Sequence, residues 1–268
     1  MPSMLQSLSS VFTIAEMEAR KIRHDSTELW VRSIQPALWL VVFGSVFSGV
    51  RGVVPAGFSY KQYIAPGVLA QSVLFIAIFY GITVVWERDM GLLTKLMSTP
   101  SPRSSIIVGK ALASGVRGVF QAIMIFVLTL IIGVNLRLDP LDMLGVLVVI
   151  VLFAMCFSCV SMLLASFLKT RERMMGIGQA MTMPLFFASN AIYPVSLMPS
   201  WLQAISVFNP LTYVVDAMRS MLLTGDYSGL PLDIVALLVS TTIFVVAASV
   251  SSRCNKESVG SVASPAYA

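Results

Sequence analysis

Residues 87–110 read ERDMGLLTKLMSTPSPRSSIIVGK and lie between two strongly apolar runs. The stretch is too long and too patterned for a simple hairpin connection. Glu87, Arg88 and Lys95 supply charge, Leu92, Leu93, Leu96 and Met97 form a short helix-like apolar core, and Pro100 with its neighbouring serines breaks the pattern. A charged, patterned segment in such surroundings points to a membrane protein that touches something soluble. The whole composition agrees: of 268 residues, 57% are hydrophobic and 12% charged, with a mean hydropathy of +0.85, whereas soluble domains carry about 25% charged residues.

Working outward, six apolar runs are expected to span a bilayer, each near the roughly 20 residues a helical span needs. They cover about 33–50, 64–86, 118–134, 141–168, 174–193 and 234–250. The fourth is overlong and must tilt or protrude. Residues 1–32 precede them. Within these, Leu5, Leu8, Phe12, Ala15, Ala19 and Ile22 recur at spacings of three and four, which predicts an amphipathic helix at the membrane interface or packed on the protein's own surface. Residues 254–268 are rich in Ser, Ala and Gly and are expected to be a disordered tail. The expected fold is therefore an all-α integral membrane protein, with the six-span domain covering 33–253.

Lys and Arg set the orientation. Arg20, Lys21, Arg23 and Arg32 precede the first run; Arg88, Lys95, Arg103, Lys110 and Arg117 fall in or next to the second connection. Lys169, Arg171 and Arg173 fall in the fourth, and Arg253 and Lys256 in the tail. Six spans with both termini in the cytoplasm put all of these on one side. The opposite side holds only Arg51, Lys61, Arg137 and Arg219. The net charge of +5 is thereby explained without nucleic acid. No secretory signal is expected, because the first apolar run follows a long polar lead. Cys156 and Cys159 share one face of a membrane helix as packing residues, and the single histidine, His24, excludes a His-rich metal site.

The connection 195–233 should be external, yet it is largely apolar. Pro199, Pro210 and Pro231 divide it into pieces too short to cross. These read either as helices that dip into the outer leaflet and return or as an external cap with a buried face. Asp216 and Arg219, three apart, are placed to pair. In the fifth run, Gly176, Gly178, Gln179, Thr182, Pro184, Ser189 and Asn190 interrupt the apolar pattern. Pro184 frees a backbone carbonyl, and polar amides in a membrane face protein or a cavity. Gln179, Thr182, Pro184 and Asn190 are thus candidates for a substrate path or for helix–helix packing. Gly44, Ser45, Ser48 and Gly49 suit a close helix contact and a dimer seam.

Two motifs resemble type-2 ABC transporter permeases. In that family the second span ends in Glu-Arg, followed by a Gly, a Leu-rich turn, a Pro and a Gly-Lys that opens the next helix. Glu87-Arg88, Gly91, Leu92-Leu93, Pro100 and Gly109-Lys110 match in that order. The run 188–225, with Tyr193-Pro194, Pro199, Asn209-Pro210-Leu211-Thr212-Tyr213 and Arg219, resembles the family's external re-entrant helices. The resemblance covers nearly the whole chain. It implies an exporter's membrane subunit in the cytoplasmic membrane, paired with a second permease copy or a related permease, and driven by a separate ABC ATPase subunit that holds ATP and Mg. The cargo it implies is a hydrophobic drug or antibiotic, or a lipid-linked saccharide. The segment 87–110 would take force from the ATPase, with Leu92, Leu93, Leu96 and Met97 docking and Glu87, Arg88 and Lys95 as a polar rim.

The residues themselves exclude rival chemistries. Gly109-Lys110 is not a phosphate-binding loop, because Ser104 and Ala111 stand where Walker A needs Gly and Ser or Thr. No cofactor is expected on this chain. Asp142 and Asp233 sit at span ends and Asp139 and Asp226 in external connections, so the expected spans carry no mid-membrane carboxylate for a proton-coupled carrier. A channel or secondary carrier lacks its ionisable residues, and a purely structural scaffold leaves the kinked fifth run and the patterned 87–110 segment unexplained. The chain is expected to be a transport subunit and not itself an enzyme.

Overall fold

The computed structural model describes Thr13, Glu16, Arg20 and residues 27–47, 57–90, 103–168 and 170–254. Among these, the chain is helical with no strand. The helices are α1 (Thr27–Val46), α2 (Tyr60–Asp89), α3 (Arg103–Ile131), α4 (Pro140–Phe167) and α5 (Arg171–Phe187), then α6 (Ser200–Phe208), α7 (Pro210–Arg219) and α8 (Leu230–Cys254). A 3-10 turn at Val195–Leu197 precedes α6, and a π turn at Ser220–Thr224 follows α7. The expected interface helix at 1–32 and the tail at 254–268 lie almost wholly outside the described residues.

Among the described residues, four helical stretches are long and apolar enough to cross a membrane: Tyr60–Glu87, Ile106–Ile131, Pro140–Phe167 and Leu230–Ser251. α1 and α5 occupy the places expected for the first and fifth spans. α5 has 17 residues, about 26 Å of helix and short of a full hydrocarbon core. Hydropathy places the third span at 118–134, but α3 begins at Arg103. Arg103, Lys110 and Arg117 dilute the hydropathy of its first half. The helix forms there nonetheless, because Ile106, Ile107, Ala111 and Ala113 bury an apolar stripe. Gly109-Lys110 accordingly lies well inside α3 and does not open it.

Local sequence sets the helix ends. Asp139 caps α4 by accepting from the Leu141 amide at 3.2 Å, with Pro140 in the first turn. Thr170 caps α5, and Glu172 places a negative charge in its first turn. Gly225, at φ 68°, closes the π turn in the left-handed region.

α2 is the inner helix: 72% of its most apolar stretch is buried, against 17% for α8. α4 packs against α2, α3, α5, α7 and α8, and α1 against α2 and α3. A bilayer gives no hydrophobic drive between helices, so close packing and hydrogen bonds carry the association. The α2–α4 crossing has both. Gly81 leaves room for Ser161, whose hydroxyl accepts from the Gly81 amide at 2.9 Å and donates to the Ile78 carbonyl. At the far end of α2, Gly67 admits the backbone of Ala191, whose Cα would lie 2.8 Å from an added Cβ. Gln121 on α3 donates to the Ser33 hydroxyl of α1 at 2.9 Å. Gly44, read as part of a dimer seam, is buried against Lys61 of its own chain; Ser48 and Gly49 lie outside the described residues. Exposed Leu38, Val127, Val148, Val239 and Val246 leave the outer helix faces apolar, the surface a bilayer covers.

Candidate functional site

α2 and α3 face each other where they flank the 87–110 segment. Tyr80 and Glu87 are seven residues apart on α2, and Lys110 and Arg117 seven apart on α3. Two turns therefore bring each pair to one face. Lys110 Nζ donates to Glu87 Oε2 in an ion pair whose side chains are 3% and 8% exposed. Deeper in, the Tyr80 ring meets both cations, with Lys110 Nζ 5.9 Å and the Arg117 guanidinium 5.3 Å from its centroid, within cation–π range. Arg117, expected at the start of a span, is the central residue of α3, 14 residues from each end (117 − 103 and 131 − 117).

Glu87 is thus turned inward in this chain and ties together the two helices that bracket the segment. Gly109 is buried beside Lys110. Gly91, Leu92, Leu93, Lys95, Leu96, Met97 and Pro100, with the side chain of Arg88, lie outside the described residues.

The four residues proposed for a substrate path do not share a surface. Gln179 and Pro184 are exposed, as are Met175 and Phe187 of the same helix. Thr182 is buried, and its hydroxyl donates to the Gly178 carbonyl of its own helix at 2.6 Å. Asn190 lies beyond the end of α5, buried in a different cluster.

The 188–225 run is built around the end of α5. The last carbonyls of a helix have no partner within it, and here the following residues supply donors. Asn209 Nδ2 donates to Leu185 O at 2.7 Å and to Ala188 O at 3.3 Å. The Ser189 hydroxyl donates to Phe186 O at 2.7 Å, and the Tyr193 hydroxyl to Phe187 O at 2.8 Å.

The Asn-Pro-Leu-Thr-Tyr element also makes the corner between α6 and α7. Asn209 Oδ1 accepts from the Leu211 amide at 3.1 Å as the cap of α7, and Pro210 fits the first helical position. Leu211 is fully buried. Thr212 donates to Ser206 O at 2.9 Å and Tyr213 to Val207 O at 2.7 Å, both reaching back to the end of α6. Pro194 precedes the 3-10 turn, and the Pro199 carbonyl accepts the first amides of α6. α7 is buried among α2, α4 and α8, whereas α6 exposes Trp201, Ile205, Val207 and Phe208.

A polar cluster joins α7 to α2. Arg219 stacks its guanidinium 3.9 Å from the centroid of Tyr63, donates from Nη2 to Asn190 O at 2.9 Å, and brings Nη1 to 3.4 Å from Asp216 Oδ1. Asn190 Nδ2 donates to that same Asp216 oxygen. Nearby, Tyr227 donates to Asp142 Oδ1 at 2.7 Å. This bond holds the Tyr227 phenol above its ordinary range. Asp226 is held below the usual carboxylate range by the Ser228 amide it accepts from at 3.0 Å.

Sequence reading missed three participants. Tyr63, just before the second apolar run, and Tyr80, inside it, belong to none of the motifs read from the sequence. Gln71 is 1% exposed in the middle of α2, and neither atom of its amide has a protein partner among the described residues. The signal for it was the one applied to Gln179, an amide inside an apolar run. Among the described residues no cluster of metal-ligating side chains occurs.

With this geometry in view, comparisons with known proteins point one way. Residues 9–223 match the family model described as ABC-2 type transporter. The chain is 30% identical over 189 residues to a Cyanophora paradoxa protein bearing the name transport permease ycf38, covering 69% of this chain and 64% of that relative, just under two thirds of its length. It is 23% identical over 221 residues to the daunorubicin resistance ABC transporter permease protein DrrB1 of Streptomyces coeruleorubidus, covering 82% and 77% of the two chains. It is 26% identical over 237 residues to the inner membrane transport permease YadH of Escherichia coli K12, covering 83% and 85%.

Proposed function

The chain belongs to the ABC-2 type transporter family, and on that premise we propose that it is the membrane-spanning subunit of an ATP-driven exporter. The observation that carries this reading is the extent of the family match, residues 9–223, which takes in both the 87–110 segment and the Asn209 corner. The subunit crosses the cytoplasmic membrane six times, with α1 and α5 as the first and fifth spans and both termini inside. α6 and α7 are the re-entrant pair in the outer leaflet. A separate ABC ATPase subunit binds ATP and Mg and pushes on the 87–110 segment. Two permeases, either two copies of this chain or this chain with a related one, enclose the path, and α5 with Gln179 and Pro184 contributes to it.

The cargo is amphipathic, of the drug or antibiotic class. Its support is the similarity to a relative named for daunorubicin resistance and a long-helix interior with few free charges for a strongly ionic solute to meet. The test is to isolate the chain with its ATPase and measure ATP hydrolysis across a panel of hydrophobic drugs and glycolipids. Stimulation by drugs is expected. Stimulation by lipid-linked saccharides alone would move the cargo to the other class, and a chain that never retains an ATPase would overturn the reading. A single cysteine replacing Ser101 tests the orientation: it should resist an impermeant thiol label added outside intact cells.

A further inference from the structure

We infer that Glu87 and Lys110 are a positioning pair that locks α2 to α3 where the two helices flank the ATPase-contacting segment, so that force delivered there moves both together. The inference rests on the exporter reading and adds to it how force would enter the bundle.

Three features of the geometry point to it. First, the pair joins the two feet of one segment: Glu87 lies two residues from the end of α2, and Lys110 is the eighth residue of α3. Second, α3 does not stop at the pair. Arg103 to Lys110 continues as about two helical turns, roughly 10 Å of stiff arm beyond the clamp. Third, the arm is packed into the bundle. Ile107 and Ala111 lie in one apolar cluster with Cys159 and Met162 of α4 and Ala248 of α8. A push on the arm therefore reaches α2 through the ion pair and α4 and α8 through Ile107.

The charges suit a fixed joint. A buried pair is held firmly only when both partners are present, since removing one leaves an uncompensated buried charge. The Tyr80 ring, 5.9 Å from Lys110 Nζ, backs the ammonium from the bundle side and limits its freedom to leave the carboxylate.

The experiment uses the chain with its ATPase, reconstituted in vesicles, and reads transport events per ATP hydrolysed in the wild type, in K110M and in the swap E87K/K110E. ATP-driven transport by the wild type is the control for the exporter reading, and its absence would count against that reading alone. K110M is expected to keep its ATPase bound and hydrolysing while transport per ATP falls about tenfold, within the usual range of a coupling between sites. The swap should recover most of that ratio. Normal transport per ATP in K110M would overturn the inference. So would a loss in K110M that merely follows the amount of folded subunit in the membrane, with the ratio unchanged. If K110M does not insert, the swap and E87Q are read in its place: unchanged transport per ATP in E87Q sinks the proposal, and a lowered ratio in E87Q restored in the swap supports it.

Discussion

Arg219 lays its guanidinium flat against Tyr63, 3.9 Å from the ring centroid, although the two residues are 156 positions apart. The contact fastens the end of α7 to the start of α2. A planar fork can stack on the ring while its nitrogens reach Asn190 and Asp216; an ammonium cannot do both. Arg219→Lys should therefore lower stability by about 2 kcal/mol, the sum expected for a lost stack and a lost charged hydrogen bond. Thermal unfolding of the detergent-purified protein checks this, and a variant that melts with the wild type would contradict it.

Asn209 does two jobs with one side chain, and substitution separates them. Its oxygen caps α7, and its nitrogen satisfies carbonyls at the end of α5. Asn209→Ala removes both and should cost about 2 kcal/mol or more, the cap alone being worth about 1. Asn209→Ser keeps a capping oxygen but falls short of the α5 carbonyls, so it should fall between. The order of unfolding temperatures, Asn above Ser above Ala, is the measurement.

Gly67 is set by close approach and not by a turn. An added Cβ would run into the carbonyl and Cα of Ala191, and both are backbone, so no rotamer change relieves the clash. Gly67→Ala should cost about 1–3 kcal/mol, as overpacking does, and reduce the amount of folded chain recovered from membranes. Gly176, with nothing within 4 Å of an added Cβ, is the control: Gly176→Ala should leave recovery at least as high as wild type.

Gln71 should behave in the opposite sense. Its buried amide has no protein partner among the described residues, and an unsatisfied buried polar group costs about 1–3 kcal/mol. Gln71→Leu should raise the unfolding temperature. A lower unfolding temperature would show that the amide is paired in the folded chain.

Much of the architecture was legible in composition and periodicity. The apolar runs at 64–86, 141–168 and 234–250 lie within a few residues of the helices Tyr60–Asp89, Pro140–Phe167 and Leu230–Cys254, and the prolines of 195–233 divided that connection where α6 and α7 begin. The pairing of Asp216 with Arg219 was readable because helical spacing is a local rule. The start of α3 was not, since a hydropathy window treats Lys110 as a charge in water. In the fold, Glu87 neutralises it, and the helix runs on through the site.

The sequence by itself determined that this chain lies in a membrane, which runs are helices, and which family its motifs resemble, because apolar length, periodicity and turn residues act over a few neighbours. Only the tertiary structure decided what the polar side chains inside do. Glu87 became one half of a buried joint, Asn190 joined Asp216 and Arg219, and the Thr182 hydroxyl bonded within its own helix. The reason is physical: a buried polar group must find its partner on whichever helix lies next to it, and which helix lies next to it is set by packing and not by the order of residues along the chain.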